Sequence, residues 1–171
     1  MKQIIAATID DVPELSVLIN SAYRGKTAKQ GWTTEADLID GTRTDENGLT
    51  EILRDPEATI LKYVENQKIL ACVELIREDD KLYLGMLTVS PVLQGKGIGK
   101  ELLHSAEQEA LKQNCNSIFM TVISVRTELI DWYVRHGYTN TGKRKPFLTS
   151  HPRLGQPRQQ LEFIVLEKKI K

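Results

Sequence analysis

Residues 94–100, Gln94-Gly95-Lys96-Gly97-Ile98-Gly99-Lys100, combine glycines at every second position with two lysines. Glycine lacks the Cβ that would hold an anion off the backbone, and it adopts the positive φ values that turn successive N–H groups inward. A helix beginning in such a run adds unpaired N–H groups and about half a positive charge at its N-terminus. The combination suits a pyrophosphate, with Lys96 and Lys100 adding charge. Spacing excludes two other phosphate motifs. The dinucleotide fingerprint requires Gly-x-Gly-x-x-Gly, and the P-loop requires Lys followed by Ser or Thr, whereas Lys100 precedes Glu101. A glycine-rich strand-to-helix turn with solvated lysines is the alternative reading of the same residues.

Such a turn works only if a strand delivers it and a helix leaves it. Residues 81–89 are apolar on both alternating faces, which predicts a central strand covered on both sides and stopped by Pro91. Ile98, Leu102, Leu103, Ala106, Ala110 and Leu111 then recur at helical spacing, and residues 117–123 form another apolar strand. A strand, a long helix and a strand imply a right-handed crossover between parallel neighbours. Upstream, strands at 58–65 and 68–76 have connections short enough for an antiparallel meander.

The flanking segments are less regular. A strand at 3–8 leads to a helix at 12–23, with Asp11 as its cap and Glu14 completing a capping box. Residues 25–55 are polar, with helical pieces expected at 34–39 and 46–53. A helix at 127–136 ends at Gly137, and strands near 138–143 and 160–168 close the sheet. The expected fold is one α/β (α+β) domain over residues 1–171, with a mixed, mostly antiparallel sheet of about six to seven strands and helices on both faces.

Composition narrows the partners. Lys plus Arg and Asp plus Glu are equal at 23 each, so no global field gathers the chain onto nucleic acid or an anionic membrane. Cys72 and Cys115 sit apart in apolar stretches, read as buried free thiols, and no cluster has metal-ligand spacing. The first residues turn polar by Thr8, and no apolar run reaches membrane-span length, so a cytoplasmic protein is expected. Either a monomer or a homodimer fits.

With Leu87-Thr88-Val89 entering Gln94-x-x-Gly97-x-Gly99, and Trp132-Tyr133-Val134-Arg135-His136-Gly137-Tyr138 downstream, the chain resembles the GNAT superfamily of N-acetyltransferases over nearly its whole length. The resemblance implies acetyl-CoA as co-substrate and no metal. It assigns the pantetheine arm to the backbone of Leu87, Thr88 and Val89, and the pyrophosphate to Gln94, Gly95, Lys96, Gly97, Ile98, Gly99 and Lys100. It also implies strands splayed apart to admit the thioester, an oxyanion held by the N–H of Leu87 or Val89, and Tyr133 as the general acid that protonates the departing thiolate. Tyr133 and Trp132 also read as core aromatics of an amphipathic helix. Many relatives carry Asn seven residues before the tyrosine, where this chain has Arg126. Ser124 or Arg126 would substitute for that contact, or Arg126 would pair with a phosphate or an acidic acceptor.

The acceptor amine must lose a proton, since an amine of pKa ~10.4 is mostly cationic at neutral pH. Glu74, on the strand beside the central one, is the candidate base, with Glu35 and His151 as loop alternatives. Acceptor choice belongs to the irregular segments 25–55 and 141–159. There Trp32, with Glu35 and Asp37, would set a flat apolar wall beside carboxylates. The run Lys143-Arg144-Lys145 receives no role. The expected function is acetyl transfer to a primary amine of a small molecule or peptide. A catalytically silent acyl-CoA sensor and a nucleotide-binding module are the competing readings.

Overall fold

Alternating apolar residues build a sheet whose two faces carry separate cores, and several strands contribute to both. The computed structural model describes residues 1–147 and 155–171. Its strands are β1 (Lys2–Ala6), β2 (Ile39–Asp40), β3 (Ala58–Glu65), β4 (Lys68–Glu78), β5 (Lys81–Val89), β6 (Ser117–Ile123), β7 (Thr139–Pro146), β8 (Gln156–Pro157) and β9 (Glu162–Lys169). Its helices are α1 (Val12–Tyr23), α2 (Gly25–Ala28), α3 (Glu46–Arg54), α4 (Ile98–Lys112) and α5 (Thr127–Arg135). Seven strands form the main sheet in the order β1-β3-β4-β5-β6-β9-β7, and β2 pairs with β8 beside it.

The connections explain that order. Turns at Asn66-Gln67 and around Asp79 take positive φ and join β3, β4 and β5 as an antiparallel meander. Helix α4 then carries the chain across one face, so β6 lies parallel to β5. Strand β9 inserts between β6 and β7, antiparallel to both.

One core lies under α4 and α5, where Leu102, Leu103 and Ala106 meet Leu82, Leu84, Ile118 and Tyr133. The other lies under α1 and α3, where Leu15, Ile19 and Leu49 meet Ile60, Cys72 and Met86. Leu82 and Leu84 thus serve one core while Met86 serves the other, although strict alternation would put all three on one face. A bulge explains the switch. Cys72 pairs with Thr88 but Glu74 with Gly85, leaving one extra residue in β5, and Met86 takes φ 47°. Beyond it, Leu87 and Val89 turn toward the α4 core.

The fold matches the expected layered mixed sheet, with local corrections. No helix forms over 34–39. The helical turn lies earlier, at Gly25–Ala28, and the chain passes through turns into β2. The Asp11 carboxylate accepts from Thr8 N–H at 2.8 Å and pairs with Lys62, so the capping box spans Thr8 and Asp11. Glu14 is left to accept from Ile69 N–H at 2.8 Å, tying α1 to the sheet. Helix α3 is capped by Asp45, which accepts from Gly48 N–H. Both cysteines are buried and free.

Candidate active site

β5 and β6 are hydrogen-bonded only at their first three residue pairs, Lys81–Ser117, Leu82–Ile118 and Tyr83–Phe119. Beyond Tyr83 they diverge while β6 stays fully paired to β9. The wedge leaves one edge of β5 without a strand partner. Two cavities occupy it. The narrower, about 70 Å³, runs past Leu87, Thr88, Val89 and Gln94 to Gly99, under Trp32 and Trp132. The wider, about 230 Å³, opens on the other side among Tyr83, Gly85, Met120, Phe147 and Phe163. Tyr23, Leu87, Arg126, Leu129 and Tyr133 border both.

The glycine turn sits at the outer end of the narrow cavity. Gly95 and Gly97 take φ of 82° and 86°, with nothing within 4 Å of the place a Cβ would occupy, so conformation rather than crowding requires glycine. Gly97 is the N-cap of α4 and offers no side-chain cap, which leaves the first N–H groups of that helix to an external acceptor. Lys96 and Lys100 are exposed beside it, and Ile98 anchors the turn in the core. At Gly99 a Cβ would stand 3.2 Å from the Trp132 ring, so this glycine lets α4 and α5 approach. Glycine-lined, cationic and continuous with an open strand edge, the site fits a pyrophosphate with an extended arm.

Gln94 takes a second role. Its Oε1 accepts from Trp32 N–H at 3.0 Å and its Nε2 donates to Val89 O at 3.2 Å. Only glycine at position 31 leaves room for this side chain, since a Cβ there would lie 2.3 Å from Oε1. The segment after α2 is thereby strapped across the narrow cavity. Trp32 is about half exposed and faces Trp132 at 6.5 Å between ring centroids, so it borders the narrow cavity rather than the wide one.

Tyr133, on α5, is buried at the junction, edge-on to Trp132 at 5.1 Å and to Tyr138 at 5.7 Å. Among the described residues its hydroxyl has no hydrogen-bond partner. Burial raises its pKa well above that of a free phenol, helped by the neighbouring Tyr23 and Tyr138, so it keeps its proton at neutral pH. Tyr23, whose hydroxyl donates to Leu87 O at 3.0 Å, is pushed up to about 12 by burial.

Glu74 is paired across the strands with Gly85, and its Oε1 fills the space where a Gly85 Cβ would be, 2.8 Å away. The side chain is buried and forms no ion pair among the described residues. Burial raises its pKa, opposed by the Arg43 charge. Glu35 has a different situation. Its Oε1 accepts from Arg24 Nε at 3.1 Å and Nη2 at 2.9 Å, and its Oε2 from Arg126 Nη1 at 3.1 Å. The carboxylate is saturated by two buried guanidiniums. Arg126 also donates to Thr33 Oγ1 at 2.7 Å, which links the strap to the start of α5.

The chain matches the acetyltransferase (GNAT) family model over residues 15–138. It belongs to the GNAT acetyltransferase family. A curated relative, acetyltransferase Atu2258 of Agrobacterium fabrum, is 32% identical over 65 residues, covering 38% of this chain and 46% of that protein. The chain thus matches about half the length of that relative. Among solved structures, PaiA N-acetyltransferase from Thermoplasma acidophilum, in complex with coenzyme A, superposes with TM-score 0.74 at 18% identity, covering 99% of each chain. The ribosomal-protein-S18-alanine N-acetyltransferase of Escherichia coli gives TM-score 0.73 at 16% identity, covering 100% of this chain and 95% of that one. At these identities the structures establish the GNAT fold.

In this GNAT chain Gln94 and Gly99 of the turn, the open β5 edge, Tyr133 and Arg126 line one wedge, with Glu74 against Gly85, while other sequence candidates fall outside it. Ser124 donates its N–H to Glu162 O and lines neither cavity. Lys143, Arg144 and Lys145 are exposed on β7, where Arg144 pairs with Glu162. Asp37 pairs with Lys29 at the surface. His151 lies outside the described residues. Among the described residues no His, Cys, Asp and Glu cluster could hold a metal, and no helix is long and apolar enough to cross a membrane. The wedge also holds Tyr23, Arg24, Arg43, Tyr83 and Gly85, which carried no signal in the sequence.

Proposed function

We propose that this protein transfers an acetyl group from acetyl-CoA directly to the nitrogen of a primary amine. The observation that carries this reading is the continuity of the glycine turn, the unpaired edge of β5 and the junction at Tyr133, in that order along one channel. Acetyl-CoA would supply an activated acetyl thioester. The N–H groups at the start of α4 would hold its pyrophosphate, and the backbone around Leu87, Thr88 and Val89 its extended arm. Gln94, strapped to Trp32, would cover that arm and exclude water.

The remaining chemistry falls to side chains at the junction. Glu74, unpaired and with a raised pKa, would take the proton of the incoming ammonium, directly or through one water. The free Tyr133 hydroxyl would give its proton to the departing sulfur. Glu35 would act as counter-ion, holding Arg24 and Arg126 at the border of the two cavities.

Calorimetry with acetyl-CoA, followed by thiol detection over an amine panel, tests the reading. Binding in the micromolar range and thiol release with at least one amine are expected, and Gly97→Glu should abolish binding by bulk and repulsion. Absence of binding at high micromolar acetyl-CoA would sink the proposal. Binding without turnover on any amine would instead favour the acyl-CoA sensor.

A further inference from the structure

The wide cavity is lined by more guanidinium than carboxylate. Arg24, Arg43 and Arg126 all line it. Glu35 bridges Arg24 and Arg126, and Glu128 stands 3.9 Å from Arg126 Nε, so these two guanidiniums are met by two carboxylates. Arg24 is further committed to Thr42 O at 3.1 Å, and Arg126 to Thr33.

Arg43 is held but not used up. Its backbone N–H donates to Asn20 Oδ1 at 2.8 Å, and its guanidinium stands 5.4 Å over the Tyr23 ring, half buried. Among the described residues no carboxylate pairs with it. A planar fork of donors thus faces the cavity with no assigned acceptor, and such a fork matches a carboxylate bidentately. Glu74, also without an ion pair among the described residues, lies against Gly85 of the cavity lining, and Met120, Phe147 and Phe163 supply apolar surface.

From these placements we infer that the acceptor is an amino acid with an apolar side chain, its carboxylate received by Arg43 and its nitrogen turned toward Glu74 and the donor channel. This rests on the amine acetylation proposed above and names its substrate class. A plain amine enters as a cation and brings no anion to Arg43. A zwitterion brings its own anion to Arg43 and presents its ammonium to the one free carboxylate. In the transfer a C–N bond forms and the thioester C–S bond breaks. The ammonium's first proton passes to Glu74 before attack, the leaving sulfur takes the Tyr133 proton, and the second proton lost by the nitrogen restores the Tyr133 hydroxyl. An aminophosphonate shares the anionic chemistry and forms a separate arm of the test.

The experiment measures kcat/KM for thiol release from saturating acetyl-CoA, expressed per unprotonated amine. Leucine, methionine and phenylalanine are compared with 3-methylbutylamine, 3-(methylthio)propylamine and phenethylamine, and with the phosphonate analogue of leucine. Each amino acid should exceed its decarboxylated partner by about tenfold to a hundredfold, the range of one charge-assisted contact. Arg43→Gln should bring that ratio toward one, and Arg43→Lys should keep part of it. Decarboxylated amines turned over as well as the amino acids, or an unchanged ratio in Arg43→Gln, would overturn the inference while leaving amine acetylation standing. A phosphonate preferred by more than about tenfold would overturn the amino-acid assignment. No acetyl-CoA binding would fail the parent reading itself, and this one with it.

Discussion

At the residue scale the two proposed proton carriers are set by burial in opposite senses of usefulness. A buried phenol keeps its proton, which a general acid needs, and Tyr133→Phe should lower kcat about a hundredfold while leaving acetyl-CoA affinity nearly unchanged, as separate calorimetry and kinetics would show. A buried carboxyl also holds its proton longer, so Glu74 becomes a base only above the ordinary glutamate range. Its folded pKa is raised, so the folded state binds the extra proton, and stability is lost as pH rises from the ordinary value of 4.5 through the folded one. Glu74→Gln should therefore melt higher than wild type at neutral pH, with the difference vanishing below about pH 4, and should lose the acid limb of the rate profile. Tyr133 was legible because it sits in a recognisable run with Trp132 and Gly137. Arg43 was not, because one arginine in a polar loop reads as solvated until the loop is folded over Tyr23.

At the scale of elements, the segment between α2 and α3 is fixed to the sheet by buried polar contacts as well as by Ile39, which packs on Ile123 and Leu161. Glu35 bonds Arg24 at the end of α1 and Arg126 at the start of α5, and burial depresses the Arg24 pKa against the pull of Glu35. Removing the carboxylate leaves Arg24 buried without an anion and Arg126 with only Glu128, 3.9 Å away. Glu35→Ala should cost about 3–5 kcal/mol in denaturant unfolding, whereas Asp37→Ala, at an exposed pair, should cost well under about 1 kcal/mol. Gly97→Ala should lose about 1 kcal/mol through its positive φ and weaken acetyl-CoA binding, since it also misdirects the N–H groups of the turn. Apolar spacing identified α1, α4, α5 and most strands of the main sheet. It misplaced the helical turn near α2, because residues 25–55 carry too little apolar pattern to separate a helix from a strap held by side-chain hydrogen bonds.

At the scale of the molecule the site is a wedge between two halves of one sheet. The meander β3-β4-β5 and the group β6-β9-β7 share only the short parallel contact at the base of β5 and β6. A ligand seated there bridges both halves. Acetyl-CoA at a hundred times its dissociation constant should add about 2.7 kcal/mol, which for a chain of this size raises Tm by about 5–10 °C in a thermal-shift assay. Gly97→Glu should abolish that shift. Periodicity assigns strands but not where their pairing stops, so the splay had to come from the resemblance, and the bulge at Met86 was invisible because Leu82, Leu84 and Met86 read as one continuous face.

The position of β9 reaches into biosynthesis. It follows β7 in the chain yet lies between β6 and β7 in the sheet. As the polypeptide leaves the ribosome, β7 has no neighbour to join, and the outer side of β6 stays bare, until residues 162–169 emerge. The half that carries β5 can assemble early, but the wall that holds the wedge open is finished only when β9 is made. A ribosome-bound chain arrested before Glu162 would therefore expose the apolar flank of β6 to chaperones, and synthesis of the final strand would be the event that conceals it.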